Sequence, residues 1–147
     1  MEKLLIKRTD EAKRFDLPRP KKVGDCGIDL CTVRNTILPC NSVLPIDVPT
    51  GIKVKIPQGM LALILNRSGV PRQMGIDVVP GVIDEGYVGE LFACCFNRTG
   101  RDIFIPSGTR LVQLILLPAS ILNVEIEEVD ELPETQRGES GFGSSGK

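Results

Sequence analysis

A succession of short apolar runs, each four to eight residues long, constrains the fold of this chain more than any other feature. The runs are residues 4–7, 28–33, 51–56, 60–65, 90–97, 102–105, 111–117 and 122–129. Their residues are mostly β-branched or aliphatic, as strands prefer. A spacing of about ten residues per strand and turn is typical of an all-β sandwich or barrel.

Turn-forming residues separate these runs. Residues 38–41, 48–51, 56–59, 98–100 and 105–108 each contain Gly, Pro or Asn. A helix is predicted only over residues 69–75, and Pro71 and the flanking glycines limit it to a turn or two. The chain from residue 134 onward is too polar to bury the apolar surface that ordering requires. We therefore expect one β domain over residues 1–133 and a flexible C-terminal arm over residues 134–147.

The composition excludes several classes of function. Eighteen Lys and Arg against nineteen Asp and Glu leave a net charge of −1, so no global basic field recruits nucleic acid or an anionic membrane. No stretch approaches the ~20 apolar residues of a membrane span, and the N-terminus does not resemble a signal peptide. These features predict a soluble, cytoplasmic protein, with a nuclear location left open.

The chain contains no histidine, which excludes Ser-His-Asp and Cys-His nucleophilic schemes and histidine-ligated metals. Carboxylates must therefore move protons if the protein is an enzyme. Five cysteines without Cys-x-x-Cys spacing predict free buried thiols and no zinc site.

Two carboxylates are candidates for chemistry. Asp84 lies in Gly81-Val-Ile-Asp-Glu-Gly-Tyr-Val-Gly89, which is typical of a hairpin-like turn bordering the core. Desolvation there can adjust the pKa of Asp84 for a general base, and a turn-capping aspartate is the competing interpretation. Asp29 lies between apolar residues, where an unpaired charge is costly, so we expect Arg67 as its cationic partner.

Three further segments have the composition of anion sites. Arg67-Ser-Gly69 follows the run 60–65 into a turn, although surface turns often hold such residues. Gln113, within the run 111–117, faces either solvent or a polar ligand. In the arm, Phe142 lies between glycines near Arg137 and Ser144, a combination suited to stacking a base and binding phosphate; a frayed terminus is the alternative.

Together, these segments resemble the five motifs of the trimeric dUTPase family, in the same order and with similar spacing. The matching segments are Gly24-Asp-Cys-Gly-Ile-Asp-Leu30, Arg67-Ser-Gly69, Gly81-Val-Ile-Asp-Glu-Gly-Tyr-Val-Gly89 preceded by Gly75-Ile-Asp-Val78, Gly108-Thr-Arg-Leu-Val-Gln-Leu-Ile115, and Arg137-Gly-Glu-Ser-Gly-Phe-Gly-Ser-Ser-Gly146. The likeness runs from about Gly24 to the C-terminus.

The resemblance implies a compact jelly-roll-like β-barrel or sandwich with a C-terminal arm, assembled as a homotrimer with shared active sites. It implies hydrolysis of dUTP to dUMP and pyrophosphate, which limits uracil incorporation into DNA and supplies dUMP for thymidylate synthesis. Mg²⁺ is expected on the triphosphate oxygens and water, with no direct protein ligand.

The resemblance also implies residue roles. Asp84 would orient the attacking water, and Tyr87 would pack under the deoxyribose. Backbone groups around residues 79–83, chiefly Gly81, Val82 and Ile83, would bind the uracil edge. Asp29 would organise the site without contacting substrate. The remaining residues would bind the triphosphate and stack on the base: Arg67, Ser68, Gly69 and Gln113, with Arg137, Phe142, Gly143 and Ser144 from the arm.

Two alternatives stay open. The dCTP deaminases are similar in fold, but they need a catalytic glutamate where this chain has Cys94, and they lack the Gly-Phe-Gly arm. A dUTPase-like regulatory protein is the non-enzymatic alternative. Pro80, which has no N–H to donate, also puts part of the uracil-binding backbone in question.

Overall fold

The computed structural model of the protein describes residues 3–136, and these residues form ten β-strands with three short helical segments. The strands are β1 (Leu5–Arg8), β2 (Gly27–Cys31), β3 (Thr36–Leu38), β4 (Ile46–Lys55), β5 (Met60–Asn66), β6 (Ile76–Val78), β7 (Gly81–Ile83), β8 (Glu90–Asn97), β9 (Ile103–Ile105) and β10 (Arg110–Pro118). Short 3-10 helices span Glu11–Arg14 and Ser120–Asn123, and a π-helical turn spans Val70–Met74.

The strands form two four-stranded antiparallel sheets and one small two-stranded sheet. The strand orders are β1-β4-β8-β6, β2-β10-β5-β7 and β3-β9. Both large sheets contribute to one hydrophobic core, with Val48 and Ile52 from the first and Leu30 and Ile64 from the second. This arrangement confirms the predicted all-β, jelly-roll-like fold.

Strand alternation places two polar side chains on the outer face of the second sheet. Asp29 lies between buried Ile28 and Leu30 on β2, so its side chain points away from the core. Gln113 lies directly opposite Asp29 on β10 and has the same orientation. The register of these two strands therefore brings together side chains 84 positions apart in the chain.

One predicted turn, at residues 48–51, is wrong. These residues lie inside β4, where the pairing with β8 shifts between Pro49 and Lys53. Gly51 has φ 66°, and its N–H donates to the Glu90 carboxylate at 2.8 Å. The turn-forming residues thus produce a β-bulge within one long strand, because a bulge has the same need for positive φ as a turn.

The predicted strand at 122–129 is also wrong. The 3-10 helix ends at Asn123, and no regular structure follows it up to residue 136. Val124 and Ile126 are exposed. The apolar alternation is present, but no strand among residues 3–136 pairs with it, and a strand needs such pairing. The predicted boundary between domain and arm at residue 133 stays a prediction.

The segment containing Asp84 does not form the hairpin-like turn predicted for it. β6 pairs with β8 in the first sheet, whereas β7 pairs with β5 in the second. Val79 and Pro80 therefore carry the chain from one sheet to the other, and residues 84–89 carry it back. This double crossing positions the Asp84 turn at the end of β7, on the edge of the second sheet.

The single predicted helix is confirmed by the turn at Val70–Met74, which ends at Gly75 with φ 65°. All five cysteines are free as predicted, but Cys26 and Cys40 are exposed and only Cys95 is fully buried. Within the part of the chain that the structure describes, no helix is long and apolar enough to cross a membrane.

Candidate functional site

The Asp29 carboxylate is the centre of a cationic cluster on the outer face of the second sheet. Arg67 Nε donates to its Oδ1 at 2.8 Å, which confirms the predicted pairing. Arg110 Nη1 lies 3.5 Å and Lys21 Nζ 3.6 Å from its Oδ2. The Asp29 side chain is 23% exposed, so this charge is partly withdrawn from water and needs such partners.

Asn66, at the end of β5, fixes the start of the Arg67-Ser-Gly69 segment. Its side-chain Oδ1 accepts the N–H of Val78 at 3.0 Å, and its Nδ2 donates to Asp77 at 3.1 Å. Its backbone carbonyl accepts Nε2 of Gln113 at 2.9 Å. The residue before Arg67 is therefore tied to β6 and β10 as well as to β5.

These residues border a cavity of about 420 Å³ that we call the Arg67 cavity. It is lined by Asp29, Arg67, Ser68, Gly69, Gln73 and Gln113. A guanidinium, a hydroxyl and side-chain amides supply hydrogen-bond donors there, which suits an anionic ligand such as a phosphate. Five residues predicted for the site, Asp29 among them, are thus brought together within one chain.

The Asp84 turn has a different environment. The N–H of Tyr87 donates to the Asp84 carbonyl at 3.0 Å, and the Tyr87 hydroxyl donates to the Glu90 carbonyl at 2.8 Å. Glu85 accepts the N–H of Gly59 at 2.8 Å. Asp84 itself is exposed. Among residues 3–136 no element covers the turn, so these residues do not provide the desolvation predicted for Asp84.

The Asp84 turn and the Arg67 cavity lie at opposite ends of β5. Ile83 pairs with Ala62, so Asp84 is level with Leu61, six positions before Arg67. At roughly 3.3 Å per strand residue, the two groups are about 20 Å apart. One chain therefore does not bring its Asp84 to its own Arg67.

The crossing between the sheets reduces the number of backbone N–H donors that residues 79–83 can offer to uracil. The N–H of Val79 already donates to the Cys94 carbonyl at 2.8 Å, and Pro80 has none. The donors left among residues 79–83 belong to β7, the edge strand of its sheet. An edge strand presents one row of backbone groups without a strand partner, which can bind another planar polar group.

Sequence reasoning missed three residues of the site: Lys21 and Arg110 beside Asp29, and Gln73 in the Arg67 cavity. Arg110 lies within the segment quoted for the fourth motif, but strict alternation would put it on the face opposite Gln113, and a β-bulge between Arg110 and Val112 reverses this. Lys21 reaches the site through a loop and Gln73 through the π-helical turn Val70–Met74, and no local pattern places either of them there. Arg137, Phe142, Gly143 and Ser144 lie outside the described residues, so their predicted roles stay predictions.

Comparison with known proteins connects this geometry to one family. The sequence matches the family model described as dUTPase over residues 13–146. A deoxyuridine 5'-triphosphate nucleotidohydrolase of Paramecium bursaria Chlorella virus 1 is 40% identical over 99% of both chains. One from Clostridium novyi is 39% identical over 98% of this chain and 99% of its own.

A solved structure has the same fold along its whole length. It is the dUTPase of Staphylococcus bacteriophage 80alpha with dUPNHPP, 26% identical, with a TM-score of 0.87 and 100% of each chain covered. The likeness to sequence relatives and to this structure extends over both the Arg67 cavity and the Asp84 turn.

Proposed function

Because this chain belongs to the dUTPase family, we propose that it hydrolyses dUTP to dUMP and pyrophosphate. The observation that carries the proposal is the pair of half-sites: a cationic cavity around Arg67 and an exposed carboxylate, Asp84, at the other end of β5. The relatives named deoxyuridine 5'-triphosphate nucleotidohydrolase, and the phage enzyme with dUPNHPP, support the choice of nucleotide.

The Arg67 cavity would bind the triphosphate. Arg67 donates through Nε to Asp29 and through Nη1 to the Arg110 carbonyl at 3.2 Å, which leaves its other N–H groups for phosphate oxygens. Ser68 is exposed and offers its hydroxyl. Gln113 uses one amide hydrogen on the Asn66 carbonyl and retains the second. Catalysis then consists mainly of positioning and charge neutralisation.

Asp84 would act as the general base that orients and deprotonates the water attacking the α-phosphorus. Among the described residues its side chain accepts no hydrogen bond, so both oxygens are available to a water molecule. The attack breaks the bond between the α-phosphorus and its bridging oxygen, and pyrophosphate leaves. Water would be excluded once substrate and a neighbouring subunit cover the turn.

Tyr87 and β7 would select the nucleoside. The hydroxyl of Tyr87 is bonded to the Glu90 carbonyl, which fixes the ring in one orientation. A deoxyribose packed on that ring leaves no room for a 2′-hydroxyl, and such exclusion requires a steric wall. The backbone of Gly81, Val82 and Ile83 would bind the uracil edge, too close to admit the methyl group of thymine.

A homotrimer would unite the two half-sites from different subunits. What supports it is the separation of about 20 Å along β5, at roughly 3.3 Å per residue, which calls for residues from another chain. Surface available for assembly includes Val124, Ile126 and Leu132, each of which is more than half exposed (56%, 83% and 84%). Arg137, Phe142 and Ser144 would complete the site from the arm. The cytoplasmic location stays a prediction.

Mg²⁺ fits this site as a partner of the substrate. Within the described residues, no three His, Cys, Asp or Glu side chains converge in a way that could hold a metal ion. The cavity instead offers donors for phosphate oxygens, and Mg²⁺ commonly binds such oxygens together with water. The ion would neutralise charge on the triphosphate while Arg67 and its neighbours position it.

The direct test is incubation of the purified protein with Mg²⁺ and dUTP, dCTP, UTP or dTTP, followed by product chromatography. We expect dUMP and pyrophosphate from dUTP and far slower turnover of the other three. Release of ammonia from dCTP would indicate a deaminase. No turnover of any nucleotide would favour the regulatory alternative.

Subunit mixing tests whether the sites are shared. A chain with Asp84→Asn and a chain truncated after Glu134 should each be nearly inactive alone. Mixed trimers should recover part of the activity, because some sites then combine an intact Asp84 with an intact arm. If exchange is demonstrated by mass spectrometry and no activity returns, the shared-site proposal is wrong.

A further inference from the structure

A second cavity adjoins the Arg67 cavity on the outer face of the sheet. It measures about 320 Å³, and its lining includes Arg19, Lys21, Asp25, Asp29 and Gln113. It shares Asp29 and Gln113 with the Arg67 cavity. Since these two residues face each other across β2 and β10, they form the wall between the cavities. A polyphosphate bound at Arg67 could therefore extend across this wall.

The charges around the wall are unbalanced. The single Asp29 carboxylate lies within 3.6 Å of three cationic side chains, those of Arg67, Arg110 and Lys21. Arg19 adds a fourth cation to the lining of the second cavity. Asp29 can neutralise only one of them, so a positive surplus remains that an anion would stabilise.

The second carboxylate of this region, Asp25, does not remove the surplus. Its Oδ2 accepts the backbone N–H groups of Lys21 and Lys22, both at 2.9 Å. This double acceptance fixes the loop that carries Lys21. Asp25 therefore fixes the backbone from which Lys21 extends, and together with Asp29 it still leaves two carboxylates against four cationic side chains.

Lys21 itself is only weakly engaged. Its Nζ lies 3.6 Å from Asp29, longer than a hydrogen bond, and its side chain is 55% exposed. The ammonium group can thus turn its three donors to a ligand with little loss. Residues 3–136 contribute no aromatic and no large aliphatic side chain to the cavity lining, so they offer a nucleoside no packing surface there.

We propose that Lys21, assisted by Arg19, binds the end of the triphosphate that leaves as pyrophosphate, and that it retains this product after hydrolysis. The inference rests on the proposed function and assigns a new contact within that site. The leaving end carries more negative charge than the α-phosphate, which is esterified to the nucleoside. It therefore gains most from the cationic surplus next to Asp29.

The test compares Lys21→Ala with Lys22→Ala. Lys22 is the matched control, because its backbone N–H has the same bond to Asp25 but its side chain lines neither cavity. Titration calorimetry with magnesium pyrophosphate measures product binding without turnover. We expect Lys21→Ala to weaken pyrophosphate binding, and to raise the KM for dUTP, by roughly three- to tenfold, as expected for one exposed charge-assisted hydrogen bond.

Binding of dUMP should be unchanged in both variants, and Lys21→Arg should restore pyrophosphate binding. Equal pyrophosphate affinity in Lys21→Ala and Lys22→Ala would overturn the proposal, and so would an equal loss of affinity for dUMP. Wild-type protein that hydrolyses dUTP but binds no pyrophosphate would overturn it as well and leave the proposed function intact. Equal melting temperatures of the variants would exclude misfolding.

Discussion

The Arg67 cavity and the Asp84 turn belong to one proposed site but are built in opposite ways. Around Arg67, hydrogen bonds connect separate elements: Arg67 Nε donates to the Asp29 carboxylate, and Gln113 Nε2 on β10 donates to the backbone carbonyl of Asn66 on β5. In the turn, Tyr87 bonds within the turn and to Glu90, Glu85 bonds to Gly59, and the Asp84 side chain bonds to none of the described residues. One region is held by hydrogen bonds between elements, whereas in the other the Asp84 carboxylate is exposed.

The difference has a chemical reason. Binding a triphosphate requires charges held at fixed positions, because their reorganisation during the reaction would cost free energy. A general base instead needs free oxygens that a water molecule can reach. If protein donors bonded to the Asp84 carboxylate as they do to that of Asp29, its oxygens could no longer accept a hydrogen bond from water.

The largest expected effect follows from removing the base. Asp84→Asn keeps the shape of the side chain but cannot accept a proton, so kcat should fall by ~10²–10⁴ with KM little changed. The melting temperature should stay the same, since Asp84 is exposed. Steady-state kinetics measures kcat and KM, and calorimetry measures the melting temperature. Asp16→Asn, an exposed control, should retain full kcat.

Normal turnover by Asp84→Asn would contradict the assigned role and make the turn a purely structural feature. A large loss of stability would contradict the contrast between the Arg67 cavity and the Asp84 turn, because it would show that contacts within its own chain hold the Asp84 carboxylate.

The next effect in size concerns the centre of the cationic cluster. Asp29→Asn removes the charge that Arg67, Arg110 and Lys21 share. Arg67 then loses its charged acceptor, and kcat/KM should fall roughly ten- to hundredfold, as expected for the loss of a hydrogen bond to a charged group. Unlike Asp84→Asn, this variant should also melt at a lower temperature. An unchanged melting temperature would show that the cluster is not preformed.

Sequence patterns predicted those parts of the molecule that depend on near neighbours. Alternation located β8 with its correct bounds, because a half-buried strand must alternate. An acid between apolar residues required a cation, and Arg67 was the correct one. The short length of the helix near Pro71 followed from that proline and the flanking glycines. In each case the physical constraint acts within a few residues or on one unavoidable charge.

Features set by distant pairing escaped prediction. The three cations on Asp29 meet there only because β2 pairs with β10 and a loop folds back over them. After β6 the chain passes to the other large sheet, where β7 pairs with β5, and no local sequence pattern indicates this crossing. The run 122–129 has the alternation of a strand but no partner within residues 3–136. The register of a strand and the strand with which it pairs are determined by the whole fold.

A smaller effect is expected from Asn66, which supports Arg67 from outside the cavity. Asn66→Ala leaves the N–H of buried Val78 without its side-chain acceptor, which costs about 1–3 kcal/mol of unfolding free energy. Urea denaturation measures the loss. Asn41→Ala, at an exposed asparagine, is the matched control and should change the free energy of unfolding by less than ~0.5 kcal/mol. Equal stability of the two variants would contradict the support assigned to Asn66.

The smallest expected effect is pH-dependent and concerns Asp77, the other partner of Asn66. The guanidinium of Arg98, at 3.1 Å, and then the Asn66 amide hold the pKa of the Asp77 carboxyl below its usual value. The unfolded chain therefore binds a proton more readily than the folded one, so this carboxyl stabilises the fold above about pH 4, its unfolded pKa. That contribution disappears as the pH falls through the lowered pKa. Since both side chains are more than 40% exposed, Asp77→Asn should cost less than ~1 kcal/mol at pH 7. Urea denaturation at pH 6 and pH 3 should show a difference between wild type and variant that shrinks in acid, and an identical difference at both pH values would contradict the assignment.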